Sequence, residues 1–296
     1  METLEHCPLC GSRHLLPFMV CKDYTVSGEH FNLVQCEDCQ FVFTNPRPTK
    51  AEIGAYYEAQ AYISHSDTQQ GLLSWLYHRV RRKALRQKLR LLEARVAHLP
   101  KTLLDYGCGT GYFLQTCLQA GWQVDGIEPD SGAIAMAKER THPDLQITLD
   151  TPYFADRQYS IITLWHVLEH IHALKETLRA LREKLHPQGK LLIAVPNLQA
   201  NEALHYKEHW AALDVPRHLY HFTPNTMRFL LKQAGLQVRE ILPMRYDAYY
   251  ASLLSEKYQT GKVRYWQGFW QGYRSNHKAN THPETHSSLI YVASLM

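Results

Sequence analysis

Long apolar runs are missing from this sequence. Nowhere do the roughly 18 consecutive apolar residues that a membrane-crossing helix needs occur together, so no membrane span is expected. The start, METLEHCPLC, has neither a basic n-region nor an apolar h-region, so a secretory leader is not expected either. A strong charge of one sign is also missing: 32 Lys and Arg stand against 28 Asp and Glu, for a net charge of +4. That field is too mild to announce a nucleic-acid partner by itself. There are no internal repeats and no low-complexity tracts. With 45% apolar residues the composition is that of an ordinary globular chain rather than a disordered one. Its 296 residues suffice for one full α/β domain and a small appendage. A cytoplasmic location is the default expectation, and there the seven cysteines read as metal ligands or buried thiols rather than disulfides.

The charge that is present is unevenly spread. Between Leu72 and Lys101 stand nine Lys or Arg against one acid, Glu93. The apolar spacing Leu72, Leu76, Val80, Leu85, Leu89, Leu92, Val96, Leu99 predicts one long amphipathic helix from Gly71 to Leu99. A basic helix can grip phosphates or anionic lipid, and it is more often a solvated face on a linking helix.

After Pro100 the pattern alternates between short buried strands and helices. Strands are expected over Thr102–Tyr106, Gln123–Glu128, Leu145–Leu149, Ser160–Leu164, Lys190–Val195, Gln237–Leu242 and Ser288–Ala293. Helices are expected over Thr110–Ala120, Asp130–Arg140, Ala173–Leu185 and Pro224–Ala234, the last stopping at Gly235. The turn Pro187-Gln188-Gly189 separates a helix from its strand. This rhythm predicts a mostly parallel sheet with helices on both faces.

The sharpest motif is Leu103-Leu104-Asp105-Tyr106-Gly107-Cys108-Gly109-Thr110-Gly111-Tyr112-Phe113, which ends one strand and opens one helix. Glycines there let the backbone pass close to a ligand without a Cβ clash. Asp105 stands just before the loop, where its carboxylate can meet an ammonium or a bridging water. Glu128 ends the next strand, 17 residues after Gly111, placed to accept from both hydroxyls of an unphosphorylated ribose. A dinucleotide dehydrogenase fits less well, because its fingerprint is GxGxxG and this loop reads GCGTG behind a strand-terminal Asp.

LLDYGCGTGYF, GIEPD and ITLWHVLEHI together resemble the motifs of class I SAM-dependent methyltransferases, over roughly residues 100–245. The resemblance implies a Rossmann-like, seven-stranded, mostly parallel sheet whose last strand is antiparallel. S-adenosylmethionine (SAM) would lie across the carboxyl ends of the strands. Asp105, Gly107, Gly109 and Gly111 would line its methionine and ribose, Glu128 the ribose and Asp150 the adenine, with Trp165 and His166 also in contact.

Cys7-Pro8-Leu9-Cys10 and Cys36-Glu37-Asp38-Cys39 form CxxC–x25–CxxC. Two such knuckles supply the tetrahedral four-thiolate set that zinc prefers, and four sulfurs leave no open position, so the expected zinc is structural. Some 45 residues build little core of their own, and a metal would replace it. The expected divisions are a zinc-ribbon-like module at 1–48 and a linker with the long helix, acting as a cap, at 49–99. A methyltransferase domain at 100–296 follows, carrying an aromatic-rich insert at 245–287.

Three segments should converge above the carboxyl ends of the strands: Trp165-His166, Pro196-Asn197 and Asp214–Phe222. Methyl transfer is an in-line displacement, so the protein aligns the nucleophile and removes a proton where one is carried. Histidine suits the second task. His218 is the expected general base, with His166 and His221 in reserve. Arg217, Tyr220, Asn197 and Tyr249 are candidate acceptor contacts, Arg217 for an anionic group. Asp214 and Arg217, three apart, also fit a structural ion pair. His170 fits a packed or capping histidine, and Glu169 a residue that orients a neighbour.

A narrower resemblance links a four-cysteine module, a tyrosine-bearing segment (Tyr56, Tyr57, Tyr62) and a SAM domain. It is to the sugar C-methyltransferases that act on nucleotide-linked deoxysugars. Those carry a Glu-His element where this chain reads Arg217-His218, and a long C-terminal domain, where here only the insert Arg245–Ser287 separates the last two strands. Tyr246, Tyr249, Tyr250, Tyr258, Tyr265, Trp266, Trp270 and Tyr273 crowd that insert, as a lid or stacking wall or as a satellite core. The function expected is methyl transfer to a small-molecule acceptor, such as a sugar or cell-surface metabolite. The alternatives are an RNA methyltransferase gripping phosphates with its zinc module and basic helix, and a non-catalytic SAM-binding scaffold.

Overall fold

The structure, a computed structural model, describes residues 1–57, 72–149 and 157–296, with the backbone alone for 72–78. Tyr62 and Asp150 lie outside the described residues. Three strands open the chain: β1 (Leu15–Lys22), β2 (His30–Cys36) and β3 (Val42–Thr44), paired antiparallel in that order. This module does not close on itself. Its sheet takes a fourth strand, β9 (Tyr220–His221), from the acceptor segment, with Val42 opposite His221 and Phe43 opposite Tyr220. Cys7, Leu9, Cys36, Phe41 and Phe43 are buried in one core with Leu219, Phe222 and Leu231, so the module and the larger domain share their apolar interior.

Helix α1 (Leu72–Glu93) follows and is shorter than the periodicity predicts. Residues 94–99 turn instead, the Leu99 N–H donating to the Val96 carbonyl at 2.9 Å. Pro100 next in line disfavours helical backbone at its predecessor.

The alternating elements then come in the expected order: β4 (Thr102–Tyr106), α2 (Tyr112–Gln119), β5 (Gln123–Ile127), α3 (Ser131–Arg140), β6 (Ile147–Thr148), β7 (Tyr159–Trp165), α4 (Leu174–Lys184), β8 (Leu185–Pro196) and the short α5 (Asn201–Tyr206). After β9 come α6 (Pro224–Gln233), β10 (Leu236–Pro243), the helices α7 (Asp247–Thr260) and α8 (Tyr265–Ala279), and β11 (Ser288–Leu295). The seven-stranded sheet runs β10-β11-β8-β7-β4-β5-β6, parallel except for β11, which is antiparallel to both neighbours. The Rossmann-like architecture expected from the motifs is therefore present.

Central strands are apolar on both faces because helices cover both: Leu103 and Leu104, Ile161 and Ile162, and Leu191 to Val195 are all buried. Each such side chain contributes about 1.5–3 kcal/mol of burial. Local signals set the helix ends. Asp130 caps α3, accepting the Ala133 N–H, and Thr223 and Thr226 form a reciprocal capping box with Pro224 in the first turn of α6. Pro187-Gln188-Gly189 is a bulge inside β8 rather than a turn before it: Tyr159 faces Leu185 while Ile161 faces Lys190. A Cβ on Gly189 would sit 2.9 Å from the Ser160 carbonyl oxygen, so the strands close up only because that residue is glycine.

Candidate active site

The glycine loop lies between the carboxyl ends of β4 and β5 and α2. Gly107, Gly109 and Gly111 all have positive φ, of 75°, 52° and 78°. A Cβ on Gly107 would strike the Val167 side chain at 2.4 Å, and one on Gly111 would strike Ala137 at 2.8 Å, whereas above Gly109 nothing lies within 4 Å. The first and third glycines therefore let the loop close down, and the second faces open space where a ligand can approach backbone. Glu128 ends the strand beside it, one oxygen accepting the Gly109 N–H at 2.8 Å and the other the Asp130 N–H at 3.1 Å. The backbone thus fixes both carboxylate oxygens at the rim. Burial pushes the Glu128 carboxyl up, opposed by those two N–H donors.

Asp105 is buried at the end of β4 and accepts the Thr163 hydroxyl at 2.6 Å. Loss of water pushes its carboxyl up to about 7, against the pull of Thr163 and of Lys88. Lys88 reaches in from α1 and stands 4.2 Å over the Trp165 ring, its own ammonium pulled down by burial. Trp165 meets Phe113 edge-on at 5.7 Å. These residues fit SAM. The loop leaves room over Gly109, the fixed Glu128 carboxylate suits a ribose diol, and the water-deprived Asp105 carboxyl suits an ammonium. Asp105, Gly107, Gly109, Gly111, Glu128 and Trp165 come together as the sequence reading expected.

Beyond this edge a chain of charged groups runs inward. His166 has a φ of 57° and presents both ring nitrogens to carboxylates: Nε2 is 3.1 Å from Asp247 and Nδ1 is 3.5 Å from Glu169. Burial alone would lower its pKa, and the two carboxylates overcome that and raise it to about 10. His166 therefore carries charge at neutral pH and is not a free base. Glu169 is fully buried, with neither oxygen in hydrogen-bond geometry, and its Oε1 lies 4.0 Å from His218 Nε2. His218 Nδ1 is 2.9 Å from the Ala212 carbonyl, which leaves Nε2 as the lone-pair nitrogen, between Glu169 and Asp214 (3.9 Å). His170 is fixed likewise, Nδ1 facing the Arg217 carbonyl at 3.0 Å and the Tyr57 hydroxyl at 2.9 Å, and its ring meets that of His218 edge-on. Burial, then the charge of His218, lowers the His170 pKa to about 4. Glu169, His170 and His218 bring donor atoms within 4.8 Å of one another, a set able to hold a metal ion.

Other expected site residues are committed to the fold. Arg217, expected to meet an acceptor anion, is instead fully buried. Its guanidinium donates to Asp214 (2.7 Å), Asp23 (3.0 Å), the Tyr56 carbonyl (3.1 Å) and the Thr25 hydroxyl. Tyr220 takes Arg47 at 2.9 Å and donates to the His172 carbonyl at 3.0 Å, inside the core. Asn197 donates to the carbonyls of Glu284 (2.7 Å) and His286 (3.0 Å), tying down the segment before β11. His221 is buried against Thr44 at 3.4 Å, and burial lowers its pKa to about 3. Tyr249 alone of the acceptor set lines open space. It borders a cavity of about 620 Å³ between α1, the end of β10 and the α7–α8 pair, along with Leu91, Met244, Asp247, Tyr273 and Ile290. Asp247 and Lys88 were not anticipated. Asp247 sits in an insert whose sequence advertises only aromatics, and Lys88 is one cation in a basic run.

In the N-terminal module the four expected cysteines converge, with Cys7 and Cys39 Sγ 3.5 Å apart, Cys10 and Cys36 Sγ 3.5 Å apart, and all four within 4.8 Å. The two knuckles match. Gly11 (φ 84°) donates its N–H to the Cys7 carbonyl, and Gln40 (φ 61°) to that of Cys36, both at 2.9 Å.

A family model described as a methyltransferase domain matches residues 76–241, from α1 through the glycine loop and the histidine segment into β10. The chain belongs to the methyltransferase domain family. It is a class I SAM-dependent methyltransferase. The match leaves the cysteine module and the aromatic insert outside. The chain is 25% identical over 177 residues to the ubiquinone biosynthesis O-methyltransferase of Marinobacter nauticus, covering 54% of this chain and 74% of that one. The homologous enzyme of Pseudomonas paraeruginosa is 25% identical over 172 residues, covering 53% and 73%. Among solved structures, the magnesium protoporphyrin IX methyltransferase of Synechocystis PCC 6803 with bound SAH matches with a TM-score of 0.53 and 14% identity. It covers 81% of this chain and 97% of that one, a likeness of fold. The chain spans about half the length (48–52%) of three other solved structures it matches.

Proposed function

We propose that this methyltransferase acts on a small-molecule acceptor held in the cavity beside Tyr249 and Asp247, with His218 as the general base. The observation that carries this reading is the line of ion-pair contacts Asp247–His166–Glu169–His218, at 3.1, 3.5 and 4.0 Å, which leads inward from the cavity wall. SAM, when bound, supplies an electrophilic methyl group on a sulfonium. The chain's own residues do the rest. Asp105 and Glu128 orient the donor. His218, which does not line the cavity, accepts the acceptor's proton by relay along that line at Nε2, and Glu169 and Asp214, about 4 Å away, stabilise the imidazolium that results. Glu169 is a positioning residue in this scheme, since it acts through His166 and His218. The mostly apolar cavity lining suits an acceptor with an apolar body, in keeping with the named activity of the ubiquinone-pathway relatives.

The cysteine cluster supports a structural zinc. Tetrahedral Zn–S bonds of about 2.3 Å place sulfurs about 3.8 Å apart, close to the spacing here. The ion would brace the module that supplies β3 and Asp23 to the acceptor segment. The boundary of that module near residue 48 is part of the same proposal.

An RNA acceptor draws less support, because three cations of the basic run are spent within the fold and the net charge is only +4. Arg81 stacks on Tyr112 at 3.9 Å, Arg95 pairs with Glu240 at 2.6 Å, and Lys88 is turned inward. The test is calorimetric titration with SAM and S-adenosylhomocysteine, followed by turnover of candidate acceptors by the wild type and His218→Gln. Micromolar SAM binding kept in the variant, with turnover reduced about 100-fold or more, supports the assignment. Unchanged turnover removes His218 from the base role, and absent SAM binding by folded protein removes the whole reading.

A further inference from the structure

Helix α8 has two unlike faces. Gly268, Gly272, Ser275 and Ala279 are buried, the two glycines so tightly against α7 that a Cβ on Gly268 or Gly272 would come within 2.8 Å of the Leu253 or Tyr249 Cα. The residues between them form a separate stripe that faces outward. Tyr265, Trp266, Phe269, Trp270 and Tyr273 are spaced for one helical face and are all exposed, Trp266 at 80% and Trp270 at 59%. Tyr273 also lines the cavity and Phe269 stacks on Tyr249 at 5.1 Å, whereas Tyr265, Trp266 and Trp270 are the most exposed rings of the stripe.

The charge around the stripe has one sign. From Lys257 to Pro283 there are five Lys or Arg (Lys257, Lys262, Arg264, Arg274, Lys278), all exposed, and no Asp or Glu. We propose that the outward face of α8 is a docking surface that seats the protein on an anionic lipid bilayer. Trp and Tyr rings favour the headgroup level of a membrane, and flanking cations add attraction to anionic lipid. A second copy of the chain fits the same face poorly, since a two-fold contact would set these cations against their own copies. Continuity with the candidate site also favours the bilayer. Tyr273 belongs to the stripe, and with His277 it lines the 620 Å³ cavity, so the cavity borders the docked face.

The experiment is co-sedimentation of the full chain with phosphatidylcholine vesicles, plain or doped with phosphatidylglycerol, alongside tryptophan emission. Binding to the doped vesicles only, with a blue shift of emission and weakening by added salt, is expected. The variant Trp266→Ala/Trp270→Ala should lose binding while keeping Tm and SAM affinity. Arg264→Gln/Arg274→Gln/Lys278→Gln should weaken it on the order of a hundredfold, from about fivefold per cation. Absence of binding, equal binding to plain vesicles, or a solution dimer that buries Trp266 and Trp270 overturns the proposal. SAM titration of the same samples separates this outcome from the Proposed function: protein that binds SAM but no vesicle fails only here, and protein that binds vesicles but no SAM fails only there.

Discussion

Arg217 and Asp23 stand 194 positions apart in the chain and pair at 3.0 Å in full burial. The bond ties the N-terminal module to the segment carrying His218. Asp23 also accepts the N–H groups of Thr25 and Ser27 at 2.9 Å each, so its charge is held from several sides. Burial raises its pKa, and the Arg217 guanidinium and these donors more than reverse that, holding the carboxyl far below its usual value.

Removing one partner of such a pair leaves the other charged and buried. Arg217→Met should therefore cost about 3–5 kcal/mol in chemical denaturation. Arg217→Lys should recover little, since an ammonium cannot fork to Asp23 and Asp214 together. The double variant Asp23→Asn/Arg217→Met should be more stable than Arg217→Met alone, because the stranded charge is gone. Equal stability of those two variants would show that Asp23 is not the group left unpaired. Because the Asp23 pKa is depressed, its contribution is present above the unfolded value near 3.8 and is lost as pH falls through the folded one.

Asp105 leads to the opposite sign. Its carboxyl is pushed up to about 7, so it is largely protonated below neutrality in the ligand-free protein. An ammonium on the ligand needs the ionised form. SAM affinity should therefore rise with pH through about 7, with roughly a tenfold weaker Kd one unit below that point, and binding at pH 6 should release a proton. Calorimetry in two buffers of different ionisation heat reads both. A raised carboxyl pKa also means that folding is opposed above the folded value and not below the unfolded one. Asp105→Asn should accordingly raise Tm at pH 8, leave it nearly unchanged at pH 4, and weaken SAM binding.

The glycine loop, Asp105, Glu128 and the cysteine knuckles were legible because each depends on local spacing. A strand-to-helix turn with three glycines, an acid at the next strand end and two CxxC pairs all place their own atoms. The partners of His166 and Arg217 were not legible. Asp247 and Asp23 come from elements far away in sequence, and nothing around either marks it as a partner. Arg217 reads as a contact to an acceptor anion, or as the ion-pair partner of Asp214, until Asp23 is seen closing over it. The β3–β9 pairing was hidden for a similar reason: two residues, Tyr220 and His221, are too short a strand to show alternation. In α8 the aromatic spacing was visible, but which face is buried was set by Gly268 and Gly272, whose meaning depends on α7.

The four cysteines should hold one zinc per chain by elemental analysis. Its removal with a strong chelator should lower Tm sharply, because Cys7 and Cys36 lie in the same core as Phe43 and Leu219. Cys36→Ser should do the same without chelator. The SAM affinity of whatever remains folded should change little, since the glycine loop lies on the other sheet. A zinc-free protein with unchanged Tm would show that the four thiols pack without an ion.

Glu169 offers the sharpest separation of positioning from structure. It is buried, both oxygens lack hydrogen-bond partners, and it lies between His166 and His218. Burial raises its pKa, but His166 at 3.5 Å and the surrounding histidine charges lower it overall, so the carboxylate is ionised at neutral pH. Glu169→Gln keeps the shape and deletes the charge. His166, held near 10 by Asp247 and Glu169 together, should then titrate lower, which histidine NMR resonances report directly. The His166 contribution to stability is fully present below about 6.5 and is lost as pH rises through about 10, so the variant should lose stability at a lower alkaline pH than the wild type. Turnover should fall about tenfold to a hundredfold in kcat, because the imidazolium formed at His218 loses a nearby anion, while the SAM Kd stays within about twofold. A purely structural Glu169 would instead lower Tm at every pH and leave the His166 titration where it was.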